Sequence, residues 1–328
     1  MNRRAFIAGL GSAAAWPGSA RAQRQPPTRM LASLVGAPND NIVQEFRATF
    51  RTSLEQLGWT EGHTLRVERR YAEGDLARMH TFAKELVALS PDVIFAATNP
   101  VVSAFLAETR SIPVVFAFVA EPVAAGFVTN LARPGGNVTG FTMYDHSIGT
   151  KWLELLKEAS PNINRVVAMY SPAGYAVARY AQAIESVAQR AGVGCDTVVV
   201  STDDEIGSAI ATLGREPGGG LIVLPDAGTT SHSRAIIAEA NRNFVPAIYP
   251  TVEFGAKNGG LISYAPDLHD MMKSAASYVD RILRGERPGE LPVQQPTRYV
   301  LTINLKSAKS IGLVIPESML LRADEVIE

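Results

Sequence analysis

Short apolar runs rich in β-branched and aromatic residues alternate along the first half of this chain with longer stretches in which apolar residues recur every three or four positions. The runs fall at 30–36, 65–71, 92–97, 113–119 and 138–143, and the helical stretches at 40–57, 76–89 and 100–109. Strand and helix taking turns in this way predict a parallel α/β sheet. Near-continuous runs such as Val93–Ala97 and Val114–Phe118 suit strands covered on both faces. Gly58 and Gly62 close the first helix, and Ser90-Pro91-Asp92 separates the second from its following strand. Within 40–57, Ile42, Phe46, Phe50, Leu54 and Leu57 share one stripe, which reads as core.

A second alternation follows Tyr144-Asp145. Helix 148–159, strand 165–170, helix 175–191, strand 196–201, helix 204–214, strand 220–224, helix 231–242 and strands 246–249 and 260–264 make another unit of five strands. No residue-level repeat relates the two units, so the duplication is architectural. A helix over 267–285, capped by Asp267 and stopped by Gly285, and an extended segment over 292–305 complete the chain. If that helix returns to the first unit and the last segment crosses to the second, three crossings form a stiff hinge. The expected fold is α/β, two doubly wound parallel-sheet lobes joined by a three-crossing hinge. The lobes are expected at 28–144 plus 267–292 and at 145–266 plus 293–328.

The first 22 residues belong to targeting. Arg3 and Arg4 precede an apolar stretch reaching Trp16, and Ala20-Arg21-Ala22 supplies a cleavage site, the order of an export signal. The arginine pair resembles a twin-arginine signal. Loss of Arg3, Arg4 and Arg21 leaves 28 of the 31 basic residues against 32 acidic ones. A mildly acidic mature chain without clustered Lys or Arg argues against a nucleic-acid or anionic-membrane partner. No later apolar run reaches the roughly 20 residues that span a bilayer, so no membrane insertion is expected after cleavage. Cys195, alone, has no internal disulfide partner and reads as a small apolar residue near a strand start.

Several longer motifs are familiar. Leu131-Ala132-Arg133-Pro134-Gly135-Gly136-Asn137-Val138-Thr139-Gly140, Leu153-Glu154-Leu155-Leu156-Lys157, Pro246-Ala247-Ile248-Tyr249-Pro250, Gln294-Gln295-Pro296-Thr297, Ile303-Asn304-Leu305-Lys306 and Arg322-Ala323-Asp324-Glu325-Val326-Ile327-Glu328 resemble the ABC transporter substrate-binding protein family. That family includes the tryptophan- and tyrosine-binding receptors. The resemblance runs from about residue 30 to the C-terminus. It implies a periplasmic-binding-protein type I fold, a ligand held between the lobes and ABC permease subunits as partners. Ala120-Glu121-Pro122 stands where members often carry Gly-Asp-Pro, and Ser171-Pro172 where they carry Asn-Pro.

Ligands of open parallel sheets bind beyond the carboxyl ends of strands. That rule nominates Gly36 to Asn41, Thr98-Asn99-Pro100, Ala120-Glu121-Pro122, Tyr144, Ser171 to Tyr175, Asp226 to Thr230 and Tyr249 to Glu253. Thr98 and Asn99 open a helix whose free N–H groups suit a carboxylate, although plain capping explains the same residues. Asp226, with Thr229 nearby, offers an acid for a ligand ammonium, or a turn that bonds its own backbone. Tyr144, Tyr175, Tyr249 and Phe118 offer aromatic faces, or core. Together these residues lead to a small amino acid-like ligand with an aromatic or branched side chain, and to no cofactor. His63, His80, His146, His232 and His269 are dispersed, and no nucleophile elbow, phosphate loop or metal-ligand pair occurs, so no enzyme is expected. An extracytoplasmic sensor domain would use the same cleft.

Overall fold

A computed structural model of the chain describes residues 28–144, 147–172, 177–253 and 255–328. The expected export signal and Tyr175 lie outside them. The first sheet contains β1 (Arg29–Val35), β2 (Leu65–Tyr71), β3 (Val93–Ala97), β4 (Val114–Val119) and β5 (Val138–Thr142), all parallel, in the order β2-β1-β3-β4-β5. Helices α1 (Asn41–Gln56), α2 (Leu76–Ala88) and α3 (Asn99–Glu108) cross between them. Asp40 caps α1 by accepting from the Val43 N–H at 2.9 Å, and Asp75 caps α2 through the Ala77 and Arg78 N–H groups. The α1 stripe is shorter than its periodicity suggests: Phe50 and Leu54 are buried, whereas Phe46 is only half-buried.

The second unit repeats the plan. It runs through α4 (Ile148–Ala159), β6 (Arg165–Tyr170), α5 (Val177–Arg190), β7 (Gly194–Val199), α6 (Asp203–Gly214), β8 (Gly219–Val223), α7 (Ala227–Ser231), α8 (Ser233–Arg242), β9 (Ala247–Tyr249) and β10 (Ile262–Pro266). Its five strands lie in the order β7-β6-β8-β9-β10, matching the first sheet strand for strand. The tail then departs from the five-strand expectation. After α9 (Leu268–Leu283), β11 (Tyr299–Asn304) adds to β10 antiparallel, and α10 (Leu305–Ser310), α11 (Glu317–Leu320) and β12 (Glu325–Ile327) follow, giving a seven-stranded sheet. The helix expected over 231–242 is α8, and a short helix that the sequence reading did not give, α7, precedes it across His232.

Each sheet is sandwiched. In the first lobe α1 and α9 cover one face, with Phe50, Leu54, Met272, Ala276 and Val279 against Val93, Phe95 and Val115. Helices α2 and α3 cover the other face. In the second lobe Trp152 of α4 is fully buried, and its indole Nε1–H donates to the Tyr264 carbonyl of β10 at 2.8 Å. Gly140 of β5 has φ 152°, and a Cβ there would lie 2.1 Å from the Phe116 carbonyl oxygen, so only glycine lets β5 close on β4.

The chain passes between the sheets after β5, between β10 and α9, and before β11. Val293 still donates to Leu131 and Gln294 to Gly140, so the last passage begins after Gln294 rather than after Pro292. The passages are tied to one another: Thr142 N–H bonds the Gln294 carbonyl, and Asp267 N–H bonds the Arg298 carbonyl.

Candidate ligand cleft

In a sheet ordered 2-1-3-4-5, the first strand lies between the second and third and the connections diverge to opposite faces, leaving a crevice beyond the carboxyl ends. That point falls between β1 and β3 in one lobe and between β6 and β8 in the other. In the first lobe the β1 turn approaches α3 closely, since a Cβ on Gly36 would stand 3.1 Å from Val101 Cγ2. Asn41 is exposed at the start of α1.

Four non-glycine residues at this end hold left-handed backbone: Glu73 (φ 54°) after β2, and Thr98 (φ 76°), Phe118 (φ 58°) and Glu121 (φ 48°) around β3 and β4. Each costs of order 1–3 kcal/mol and survives only where its surroundings enforce it. Around β3 and β4 the enforcement is visible. Asn99 Nδ2 donates to the Ala120 carbonyl at 2.8 Å, and its Oδ1 accepts from the Ala120 N–H at 2.9 Å. Asn99 therefore spends its side chain fastening the β4 turn, and what faces the crevice is the exposed Thr98 and the open end of α3, where no side chain caps the helix. Glu121, on the fastened turn, reaches across to Arg179 of α5 in the other lobe, Oε2 to Nη1 at 2.8 Å.

The second lobe centres on Asp226. Its Oδ2 accepts from the Ser171 N–H at 3.0 Å, and its Oδ1 accepts from the Ser171 hydroxyl at 2.5 Å and the Thr229 N–H at 2.9 Å. The carboxylate thus staples the β6 turn to the β8 turn and caps α7, which is the turn-building role of an Asp in such a loop. Thr229 is buried, with its hydroxyl donating to the Leu224 carbonyl at 2.8 Å. Beside them, Thr230, Ser233, Pro250 and Thr251 line a recess of about 10 Å³, room for one water. A larger hollow of about 690 Å³ runs along edge strand β7 and α6, away from the switch point.

Two tyrosines nominated from the sequence are core instead. Tyr144 is 4% exposed, lies edge-on to Trp152 and Tyr180, and donates its hydroxyl to the Pro250 carbonyl. Burial, reinforced by Tyr180, Glu253 and Tyr299, holds its phenol protonated well above the ordinary range. Tyr249 is 2% exposed, and its ring lies on Gly260, where a Cβ would meet Cε2 at 2.5 Å. Its hydroxyl is buried with no hydrogen-bond partner among the described residues, and burial raises its pKa too. The sequence reading missed Arg179, Phe46 and His269 at this end of the molecule. Phe46 lies 5.7 Å from Phe118 and 5.0 Å from His269, ring to ring. Among the described residues no helix is long and apolar enough to cross a membrane.

Comparison with known proteins places this arrangement. A tyrosine-binding protein of Clostridioides difficile is 25% identical over 265 residues, covering 80% of this chain and 75% of that protein. A conserved domain protein of Vibrio cholerae O1 biovar El Tor superposes with a TM-score of 0.81 at 27% identity, over 91% of this chain and 99% of its own. An ABC domain of Streptococcus pneumoniae solved in complex with L-Trp gives 0.82 at 24% identity, over 92% and 100%, a likeness of fold. The model of the ABC transporter substrate binding protein family matches residues 39–327, so this two-lobed chain belongs to that family.

Proposed function

We propose that the protein is an exported receptor that captures an amino acid-like solute between its lobes and presents it to ABC permease subunits. The observation that carries the reading is the pairing of two like-ordered sheets joined across the lobes by Glu121, on the turn after β4, and Arg179 of α5. In this reading 28–144 with 267–294 moves as one body against 145–266 with 295–328. The open end of α3 at Thr98 and Asn99 receives the ligand carboxylate. The polar rim of Asn41, Ser171, Asp226 and Thr229, together with Tyr175, surrounds the ammonium and side chain, and Glu121 closes over them. The tyrosine-binding relative supports the ligand class. Residues 1–22 direct export through the arginine pair, and Arg3→Lys with Arg4→Lys blocks periplasmic accumulation if the twin-arginine route is used.

The test is a thermal-shift screen of the mature protein against the L-amino acids, followed by small-angle scattering with the best binder. A ligand at 100 times its Kd stabilises by about 2.7 kcal/mol. Closure then reduces the radius of gyration. Absence of any stabilising amino acid refutes the ligand class, and an unchanged radius refutes closure.

A further inference from the structure

Strand β4 breaks its own alternation. Val115 and Ala117 pack in the cluster beneath α1 and α9, while Phe116 and Val119 pack in the cluster on the opposite face. Strict alternation sends Phe118 to the side of Phe116. Phe118 instead packs with Ala117, its neighbour in sequence, because the pairing of β4 with β5 slips between Phe116 and Val119 and Phe118 takes φ 58°. A bulge of this kind re-aims a side chain, and a bulky ring at positive φ is a costly way to fill a core.

The re-aimed ring completes an aromatic wall. Phe118 and Phe46 are inclined at 53°, and Phe46 and His269 at 55°. Thr49 Oγ1 lies 2.8 Å from His269 Nδ1 and holds the imidazole in place. The three rings come from the end of β4, the start of α1 and the start of α9 just past the second passage between lobes. Met143, on the first passage, packs on the same cluster. All three rings are half-buried at the carboxyl end of the first sheet, so part of the cluster stays accessible there. Inclined aromatic faces accept a further ring edge-on or offset.

We infer that Phe46, Phe118 and His269 form the wall that selects an aromatic side chain on the ligand. This rests on the amino acid-receptor reading. The wall sets specificity, while the α3 end and the Asp226 loop hold the backbone groups common to every amino acid.

Calorimetric titration of the mature protein with L-tryptophan, L-tyrosine, L-leucine and L-aspartate, in the wild type, Phe46→Leu and Phe118→Leu, tests it. The wild type is expected to favour L-tryptophan or L-tyrosine over L-leucine by at least about tenfold. Each variant should lose roughly 3- to 10-fold for the aromatic ligand while L-leucine changes less than about twofold. Equal loss for all ligands, no loss, or a wild type that prefers L-leucine or L-aspartate overturns the wall and leaves the receptor reading standing. Binding of no amino acid overturns both. Should the strained position reject leucine and Phe118→Leu not fold, His269→Gln tests the same wall from α9, with the same selective loss expected and an unchanged aromatic preference against it.

Discussion

Glu121 and Arg179 meet across the cleft, so their pairing should be felt as an equilibrium between open and closed lobes. Their side chains are 17% and 55% exposed, which places the pair near the surface, where such contacts contribute about 0.2–1 kcal/mol. Breaking it should therefore lower the closed-to-open ratio by about 1.4- to 5-fold, and lower the apparent ligand affinity by the same factor if the closed form is the one that retains ligand. Glu121→Gln, Arg179→Gln and the double variant form a cycle whose coupling term isolates the pair. Titrations at about 0.05 and 0.5 M salt add a second axis, because screening weakens the pair in the wild type and has nothing to act on in the double variant. The reversed pair, Glu121→Arg with Arg179→Glu, should recover part of the affinity. Additive single effects with the same salt dependence in all four proteins would refute the bridge as a closure element.

Two other substitutions probe the fastenings on either side of the cleft. Asn99→Asp keeps an acceptor for the Ala120 N–H but sets a carboxylate oxygen against the Ala120 carbonyl, so about 1–3 kcal/mol of stability and the hydrogen-exchange protection of the Ala120 amide should both fall; full protection would refute the fastening role. Asp226→Asn leaves one acceptor oxygen for three donors from Ser171 and Thr229, so the empty protein should melt lower by an amount equivalent to about 1–3 kcal/mol. An unchanged melting temperature with lost binding would instead assign Asp226 to the ligand ammonium alone.

Local pattern carried the elements because strand and helix periods are written in consecutive residues. The apolar runs at 93–97 and 114–119 are strands covered on both sides, and the Asp and Gly signals at Asp267 and Gly285 mark real helix ends. What failed depended on long-range pairing. Strand β12 is three residues with little burial, and nothing in Glu325-Val326-Ile327 announces that it joins β11. Tyr249 stands at a strand end like a ligand residue, but the missing side chains of Gly255 and Gly260, six and eleven positions later, open the slot its ring occupies. The positive φ angles of Thr98, Phe118 and Glu121 oppose the propensities of those residue types, so no reading of preference finds them. For the same reason Phe46 reads as core and His269 as one of five dispersed histidines until the bulge in β4 brings Phe118 beside Phe46.

Strained turns gather on the first lobe's side of the cleft, and the hinge decides how they move. Tyr144, on the first passage, is locked into the second lobe by Trp152, Tyr180 and the Pro250 carbonyl, so rotation cannot be absorbed there. The other passages are cross-linked: Asp267 pairs with Arg298 at 3.4 Å and also caps α9 through the Asp270 N–H, and Tyr264 stacks on Tyr299 at 5.3 Å. A hinge of three bonded segments permits rotation about its own direction and resists sliding. At the free carboxyl ends of β3 and β4, Thr98, Phe118 and Glu121 hold costly backbone. Their fastenings, Asn99 above all, lie within the first lobe, so the strained turns ride with that lobe as a rigid lip and meet the second lobe already shaped.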